Sequence, residues 1–368
     1  MQAGPTDTHP APCQEPYTSI DEGKGGAVRR QSLWFEGGGR VSVRDESLAP
    51  PESHEVLVET LMSAISPGTE MLFYRGEIEE GTEVDAVLEG YRGRLEYPLP
   101  YGYASVGRIA RAGPGADPGL VGRLAFVFMP HASAFCVSDR RVIPVPEGIE
   151  PEDAAFLAAA ETAVNLVLDA APLLGEHASV FGLGVIGLLT IGLLARFPLA
   201  RLSGWDPLPR RCQAAGLFGA RAADPGISPP AGGTEDLAIE VSGSAEGFRL
   251  ALASCRFNGR LVVGSWYGMG SRRKSIDGFD TLFHRNRVRI VSSQVSTIDP
   301  ALSARWTRER RLDAAWEALR VLRPSRLITH RVAFSRAGEA YRLIAGSPGE
   351  TIQVMLVHGD EGTRRRPP

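Results

Sequence analysis

The sequence predicts an α/β fold in two parts: a mostly antiparallel β domain, then a doubly wound parallel sheet. Three observations carry that prediction. From Ser32 to Pro146, short alternating apolar segments such as "RVSVRD", "RLAFVFM" and "AFCVS" are separated by Gly and Pro. At Pro151 the texture turns alanine-rich and helical, and strand-like and helix-like segments then alternate. Between the first such strand and helix stands "SVFGLGVIGLLTIGLLARF", Ser179 to Phe197, a turn punctuated by glycines.

Taken in order, residues 1–28 are rich in Pro, Gly, Thr and charge without periodicity, and read as a disordered extension. The β domain follows over 29–150. It is interrupted from about Phe73 to Leu95 by charged, glycine-containing sequence that suits a helix or long loop. "PEDAAFLAAAETAVNLVLDAA" reads as a helix, with Pro151 and acidic residues in its first turn. The strands "HASVF", "ARLSGWD", "DLAIEVSG", "GRLVVGSW" and "VRIVSSQV" then alternate with helices, one of them from about Ala245. Residues 359–368, with "RRRPP" at their end, read as a flexible, solvated tail.

Composition narrows the class. A chain of 368 residues suggests two domains, and 43% hydrophobic with 23% charged residues is ordinary for a soluble globular protein. A net charge of −3 offers no general attraction to nucleic acid or an anionic membrane. Cys13, Cys136, Cys212 and Cys255 share no C-x-x-C spacing, so neither a disulfide framework nor a cysteine-rich zinc lobe is indicated, which favours a reducing compartment. The N-terminus lacks the features of a signal peptide, and the glycine-rich run Val180–Phe197 is a poor membrane span. A cytoplasmic protein with no membrane or nucleic-acid partner is expected.

Gly182, Gly184 and Gly187 form G-x-G-x-x-G between an apolar strand and a helix. The first glycine permits the tight turn, the second lets a pyrophosphate approach the backbone, and the third lets helix and strand pack closely. The pyrophosphate would sit on unpaired N–H groups where the helix begins, at Val185. Asp206 ends the next strand near the spacing of a ribose-binding acid, roughly 20 residues on. A carboxylate there accepts both ribose hydroxyls and repels a 2′-phosphate, favouring NAD over NADP. Arg210 and Arg211 follow closely, and either could reach a phosphate. Ser242 and Gly264 complete the candidate cofactor-binding set within this domain.

"PLPYGYASVGRIARAG" from Pro98, "RVIPVPEGIEPEDAAFLAAAETA" from Arg141 and the glycine motif resemble the medium-chain dehydrogenase/reductase superfamily, over about residues 30–358. The resemblance implies a GroES-like catalytic domain over 29–150, completed by about 297–358. It implies a Rossmann NAD-binding domain over 151–296, a cleft between the two, and a homodimer. Zinc members carry metal ligands where this sequence has Pro67 or Ser66, Tyr103, Ala104 and Ala158. The resemblance therefore implies a zinc-free member. "SAISPGTEMLFYRGE" and "FMPHASAFCVS" narrow it to the branch that contains bacteriochlorophyllide (hydroxyethyl) dehydrogenase and natural-product or cyclitol dehydrogenases.

Without zinc, a side chain must accept the proton that an alcohol loses on oxidation. Tyr103, at a displaced-ligand position, is one candidate, with a packed ring as the bland alternative. His131 in "MPHASAF" can relay a proton near neutral pH or be structural. Glu70 and Thr69 in "PGTE" align with an acid and a hydroxyl relay, although Glu70 could equally cap the helix near Met71. By resemblance Thr162 contacts nicotinamide, and Glu161 beside it is a candidate cleft acid. His284, Gln294, Trp266 and Tyr267 are weaker candidates for the cleft wall. The expected function is zinc-independent, NAD-dependent oxidation of a secondary alcohol on a small cyclic or polyol-like metabolite, or the reverse reaction. A hydroxyethyl chlorin substrate, or a non-catalytic NAD-binding sensor or scaffold, are the alternatives.

Overall fold

The computed structural model describes residues 28–84, 93–222, 233–269 and 279–359. Nearly all of the N-terminal extension, Cys13 and the "RRRPP" tail lie outside them. Strands β1 (Val28–Gly37) and β2 (Arg40–Leu48) form an antiparallel hairpin, and β1 also pairs with β4 (Leu99–Pro100). The larger sheet centres on β3 (Glu55–Ala64). It takes in β5 (Ser105–Ala112), β6 (Leu124–Val127), β7 (Ala134–Ser138) and β8 (Ile143–Pro144). Its far edge comes from the other end of the chain: β15 (Ile328–Ala333) and β16 (Gln353–Val357), with Leu356 of β16 opposite Ser63 of β3.

The second sheet holds β9 (His177–Phe181), β10 (Arg201–Trp205), β11 (Arg221–Ala222), β12 (Glu235–Glu240), β13 (Cys255–Val263) and β14 (Arg289–Ser292). All pairs are parallel, in the order β11-β10-β9-β12-β13-β14. That is the 3-2-1-4-5-6 order of a doubly wound dinucleotide fold, whose switch point lies between β9 and β12. The α/β class with a Rossmann sheet is as the sequence predicts.

Helix α1 (Thr69–Arg75) follows β3. The single helix expected from Pro151 is two, α2 (Pro151–Ala154) and α3 (Leu157–Ala170). No Gly or Pro marks the break, so propensity alone does not show it. Tertiary packing makes it: the buried Asp153 carboxylate accepts the Ser325 N–H at 2.7 Å, and Phe156 turns into the core at 1% exposure. Helix α4 (Val185–Leu194) is apolar on almost every face and buried to match. Helices α5 (Pro209–Gly216), α6 (Ala245–Ser254), α7 (Arg308–Leu322) and α8 (Ala337–Gly346) complete the described set.

One apolar core runs from α3, α4 and the parallel sheet into Ala64, Val106, Phe126 and Met355 of the β-rich sheet. A second gathers Phe35, Phe73, Tyr74, Tyr101 and Tyr341 around α1 and α8. Among the described residues no helix is long and apolar enough to cross a membrane. Cys136, Cys212 and Cys255 are free thiols, and burial pushes Cys255 up to about 12.

Candidate functional site

The glycine turn follows β9. Gly182 has φ +95°, and a Cβ there would lie 2.6 Å from the Ser242 backbone. A Cβ on Gly187 would come within 1.9 Å of the Gly182 carbonyl oxygen, so helix and turn touch. At Gly184 a Cβ would meet nothing within 4 Å. The first and third glycines are thus required by packing, whereas the second faces open space that any side chain would fill. Gly184 is the N-cap of α4 and supplies no side-chain cap. The first intrahelical bond runs from the Leu188 N–H to the Gly184 carbonyl at 2.9 Å. The N–H groups of Val185, Ile186 and Gly187 precede it and have no carbonyl within the helix to bond. The arrangement suits a phosphate group.

Asp206 braces this turn. One carboxylate oxygen accepts the Leu183 N–H at 2.8 Å, and the other accepts the Leu208 N–H at 2.9 Å. Its side chain is 3% exposed, and each oxygen retains a lone pair beyond these two bonds. Arg211 turns toward Asp206 at 3.6 Å. Ser242 donates its N–H and hydroxyl to Glu240, at 2.7 and 2.6 Å. Gly264 donates to the Glu240 carbonyl at 2.9 Å and packs so close to Leu166 that a Cβ would clash at 2.7 Å. Both therefore stand at the carboxyl ends of β12 and β13, on the rim that holds the glycine turn. The Thr162 hydroxyl bonds back to the Ala158 carbonyl of its own helix at 3.0 Å.

Glu161 is not a cleft acid. It is buried and paired with the buried Arg311 of α7 at 2.8 Å. Arg311 also reaches the Asn165 side chain at 2.7 Å and the Val295 carbonyl at 2.6 Å. This lock joins α7, α3 and the segment after β14. Sequence reading missed it because nothing local links a helical Glu to an Arg 150 positions away. His284 is exposed, and Gln294 bonds its neighbour Ser296 at 2.7 Å. Trp266 is 46% exposed and lies edge-on to Phe73 of α1, centroids 6.2 Å apart. The adjoining Met269 N–H bonds the Glu77 carbonyl at 2.7 Å, so the segment after β13 is tied to the region following α1. Tyr267 donates its hydroxyl to Glu240, and burial holds its phenol well above the usual range.

In the β-rich part, Glu70 and His131 meet. The His131 Nε2 lies 2.9 Å from one Glu70 oxygen, and the Tyr341 hydroxyl donates to that same oxygen at 2.5 Å. The other Glu70 oxygen accepts the Ser66 N–H at 2.8 Å. The His131 Nδ1 lies 2.8 Å from the Ser63 hydroxyl. Glu70, His131, Ser63 and Tyr341 have no exposed surface, so neither Glu70 nor His131 presents an atom to a substrate here. Tyr103 and Thr69 are half-buried. Tyr103 packs edge-on to Tyr101, which stacks on Phe73. Tyr341 and Ser63 escaped the sequence reading. Tyr341 sits 271 positions from Glu70 and reads only as the apolar face of a helix.

The positions that the family resemblance pairs with zinc ligands hold Ser66, Pro67, Tyr103, Ala104 and Ala158, which offer no thiolate, imidazole or carboxylate. No group of three or more His, Cys, Asp or Glu among the described residues could hold a metal ion. This donor set does not fit zinc.

No protein-family model matches the chain. A D-guloside 3-dehydrogenase of Escherichia coli K12 is 27% identical over 232 residues, 59% of this chain and 65% of that protein's length. An uncharacterized zinc-type alcohol dehydrogenase-like protein of the same strain is 25% identical over 364 residues, covering 87% of this chain and 97% of the relative. Among solved structures, the 2R,3R-butanediol dehydrogenase of Bacillus subtilis superposes with a TM-score of 0.72 at 17% identity, covering 89% and 99% of the two chains. An alcohol dehydrogenase of E. coli CFT073 complexed with NADH gives 0.69 at 17% identity, covering 89% and 99%. A dehydrogenase of Sinorhizobium meliloti 1021 bound to NADP gives 0.70 at 18% identity, covering 90% and 99%. These neighbours establish the fold.

Proposed function

We propose that this chain, which groups by fold and sequence similarity with the medium-chain alcohol dehydrogenases, is a zinc-independent, NAD-dependent dehydrogenase of a secondary alcohol. The observation that carries the reading is the open, uncapped N-terminus of α4 at Gly184, set at the switch point of a 3-2-1-4-5-6 sheet. When bound there, the nicotinamide supplies hydride chemistry. The chain's own residues would hold it: the N–H groups at Val185 would face the pyrophosphate and Asp206 would take the ribose and oppose a 2′-phosphate, with Arg211 3.6 Å from Asp206.

Tyr103 is the group that accepts the alcohol's proton. It keeps exposed surface at a position that the family resemblance pairs with a metal ligand, whereas Glu70 and His131 are fully buried. The substrate class is a small cyclic or polyol-like metabolite. A relative named for a guloside and a neighbour named for butanediol, both carrying secondary hydroxyls, support it. A screen for NADH formation over sugars, glycosides and cyclitols, with elemental analysis of the active protein, tests the reading. Turnover with far less than one zinc per chain supports it. Stoichiometric zinc whose removal abolishes turnover refutes zinc independence, and stronger NADP binding refutes the cofactor assignment.

A further inference from the structure

Arg311 of α7 has only 2% of its side chain exposed, and a guanidinium brings five N–H donors with it. Its Nε–H and one Nη2–H donate to the same Glu161 oxygen, at 3.1 and 2.8 Å. One Nη1–H donates to the Asn165 Oδ1 at 2.7 Å. The remaining two leave the helices: Nη2 donates to the Val295 carbonyl at 2.6 Å, and Nη1 to the Thr297 carbonyl at 3.4 Å. Every donor is engaged. Asn165 turns its own amide N–H groups to Asp169 at 2.9 Å and to the Ser293 hydroxyl at 3.2 Å. Residues 293–297 form neither helix nor strand, yet Ser293, Val295 and Thr297 are all held by this one network.

A tie between α3 and α7 does not account for that arrangement. Apolar side chains of similar volume often replace a buried ion pair at no cost in stability. What a guanidinium adds is a rigid fork of donors, and here two of them fix backbone carbonyls. Those carbonyls stand at a defined place. Their segment follows β14, and the Ser293 N–H bonds the Val263 carbonyl of β13 at 2.9 Å, so the segment lies at the carboxyl ends of the strands. In a doubly wound sheet a dinucleotide lies across those ends, with one mononucleotide on each side of the switch point. Asp206 follows β10, on the side that would take the adenosine ribose. Strands β12, β13 and β14 lie on the other side, which leaves the segment to the nicotinamide half. Helix α3 reaches the same rim, where a Cβ on Gly264 would strike Leu166.

We propose that Arg311, oriented by Glu161 and Asn165, is a positioning residue that holds 293–297 as the wall on which the nicotinamide and its carboxamide would lie. The inference rests on the dinucleotide reading above and deepens it. A carboxamide is recognised by polar contacts of fixed direction, so a wall free to shift would lose them. Asp206 and the glycine turn are outside this network, and their hold on the adenosine and pyrophosphate would persist.

Two nucleotides separate the halves, because ADP-ribose is NADH without its nicotinamide. Calorimetric titration of the full chain should show NADH bound more tightly than ADP-ribose. Arg311→Lys keeps a charge beside Glu161 but replaces the fork by one ammonium. It should weaken NADH about tenfold, the scale of a lost hydrogen bond or two, and leave ADP-ribose within about twofold of the parent. The double variant Arg311→Met with Glu161→Leu removes both buried charges, so it carries the test where Arg311→Lys fails to fold. It should show the same selective loss at a melting temperature near the parent's, because no apolar pair can hold the two carbonyls. Emission of bound NADH is a second readout: a ring fixed in a walled site emits to the blue of free NADH, and both variants should lose that shift. Unchanged NADH affinity and emission in the variants would leave Arg311 as a tie between helices and overturn the proposal. Equal weakening of both nucleotides overturns it too, since Arg311 would then support the whole cofactor domain. A parent that binds neither nucleotide refutes the dinucleotide reading itself, and the role of Arg311 falls with it.

Discussion

Tyr103 and Asp206 each carry one polar group, and their surroundings give them different work. Tyr103 holds a phenol at the edge of an aromatic stack. Tyr103→Phe should therefore lower turnover by about 10² to 10⁴, the scale of general acid–base help, and leave cofactor affinity nearly unchanged. Steady-state rates beside a cofactor titration check this, and a loss under threefold removes the residue from the mechanism. Asp206 holds the Leu183 and Leu208 N–H groups and, in the proposed reading, would also take the ribose. Asp206→Ala should narrow the preference for NAD and also cost roughly 1–3 kcal/mol of stability by orphaning those donors. Paired cofactor titrations and urea melts separate the two effects.

At the scale of elements, the three glycines make an internal contrast. Gly184→Val should leave the melting temperature near that of the parent while abolishing NAD binding, because only the space for the pyrophosphate is lost. Gly187→Val should lower the melting temperature as well, since its side chain would strike the Gly182 carbonyl. The lock between α3 and α7 behaves differently. Arg311→Met leaves Glu161 buried without its partner and should cost about 3–5 kcal/mol, and the added change Glu161→Leu should recover much of that. Additive losses in urea melts would contradict the lock.

These elements also show what a linear reading can see. The turn at Gly182, the strand that ends at Asp206 and the early position of Glu70 in α1 were legible, because each is encoded within a few neighbouring residues. The break between α2 and α3, the Glu161–Arg311 pair and the contact of Tyr341 with Glu70 were not. Each depends on a partner brought from more than a hundred positions away, and no local periodicity records it.

For the molecule as a whole, acid is the informative stress. His358 stacks on Phe334, and burial first, with the charge of His131 second, lowers it to about 3 from 6.5. The folded chain thus keeps this ring neutral where the unfolded chain protonates it. The resulting stability is present above about pH 6.5 and drains away as pH falls toward 3. Melting temperature should therefore fall more steeply with acid in the parent than in His358→Phe, which keeps the ring contact. Parallel slopes would remove His358 from the account.

The placement of β16 beside β3 has a consequence for how the protein is made. A ribosome delivers Ser63 and Glu70 early, yet the strand that covers β3 and the helix that carries Tyr341 emerge almost three hundred residues later. Until then β3 is uncovered only at Met62–Ala64, beyond its pairing with β7, and Glu70 lacks the hydroxyl that donates to it. All six strands of the parallel sheet leave the exit tunnel before β15 does, so their pairing can be complete while the first-made strands still wait. The nascent chain thus holds every strand of its parallel sheet before its β-rich half can close.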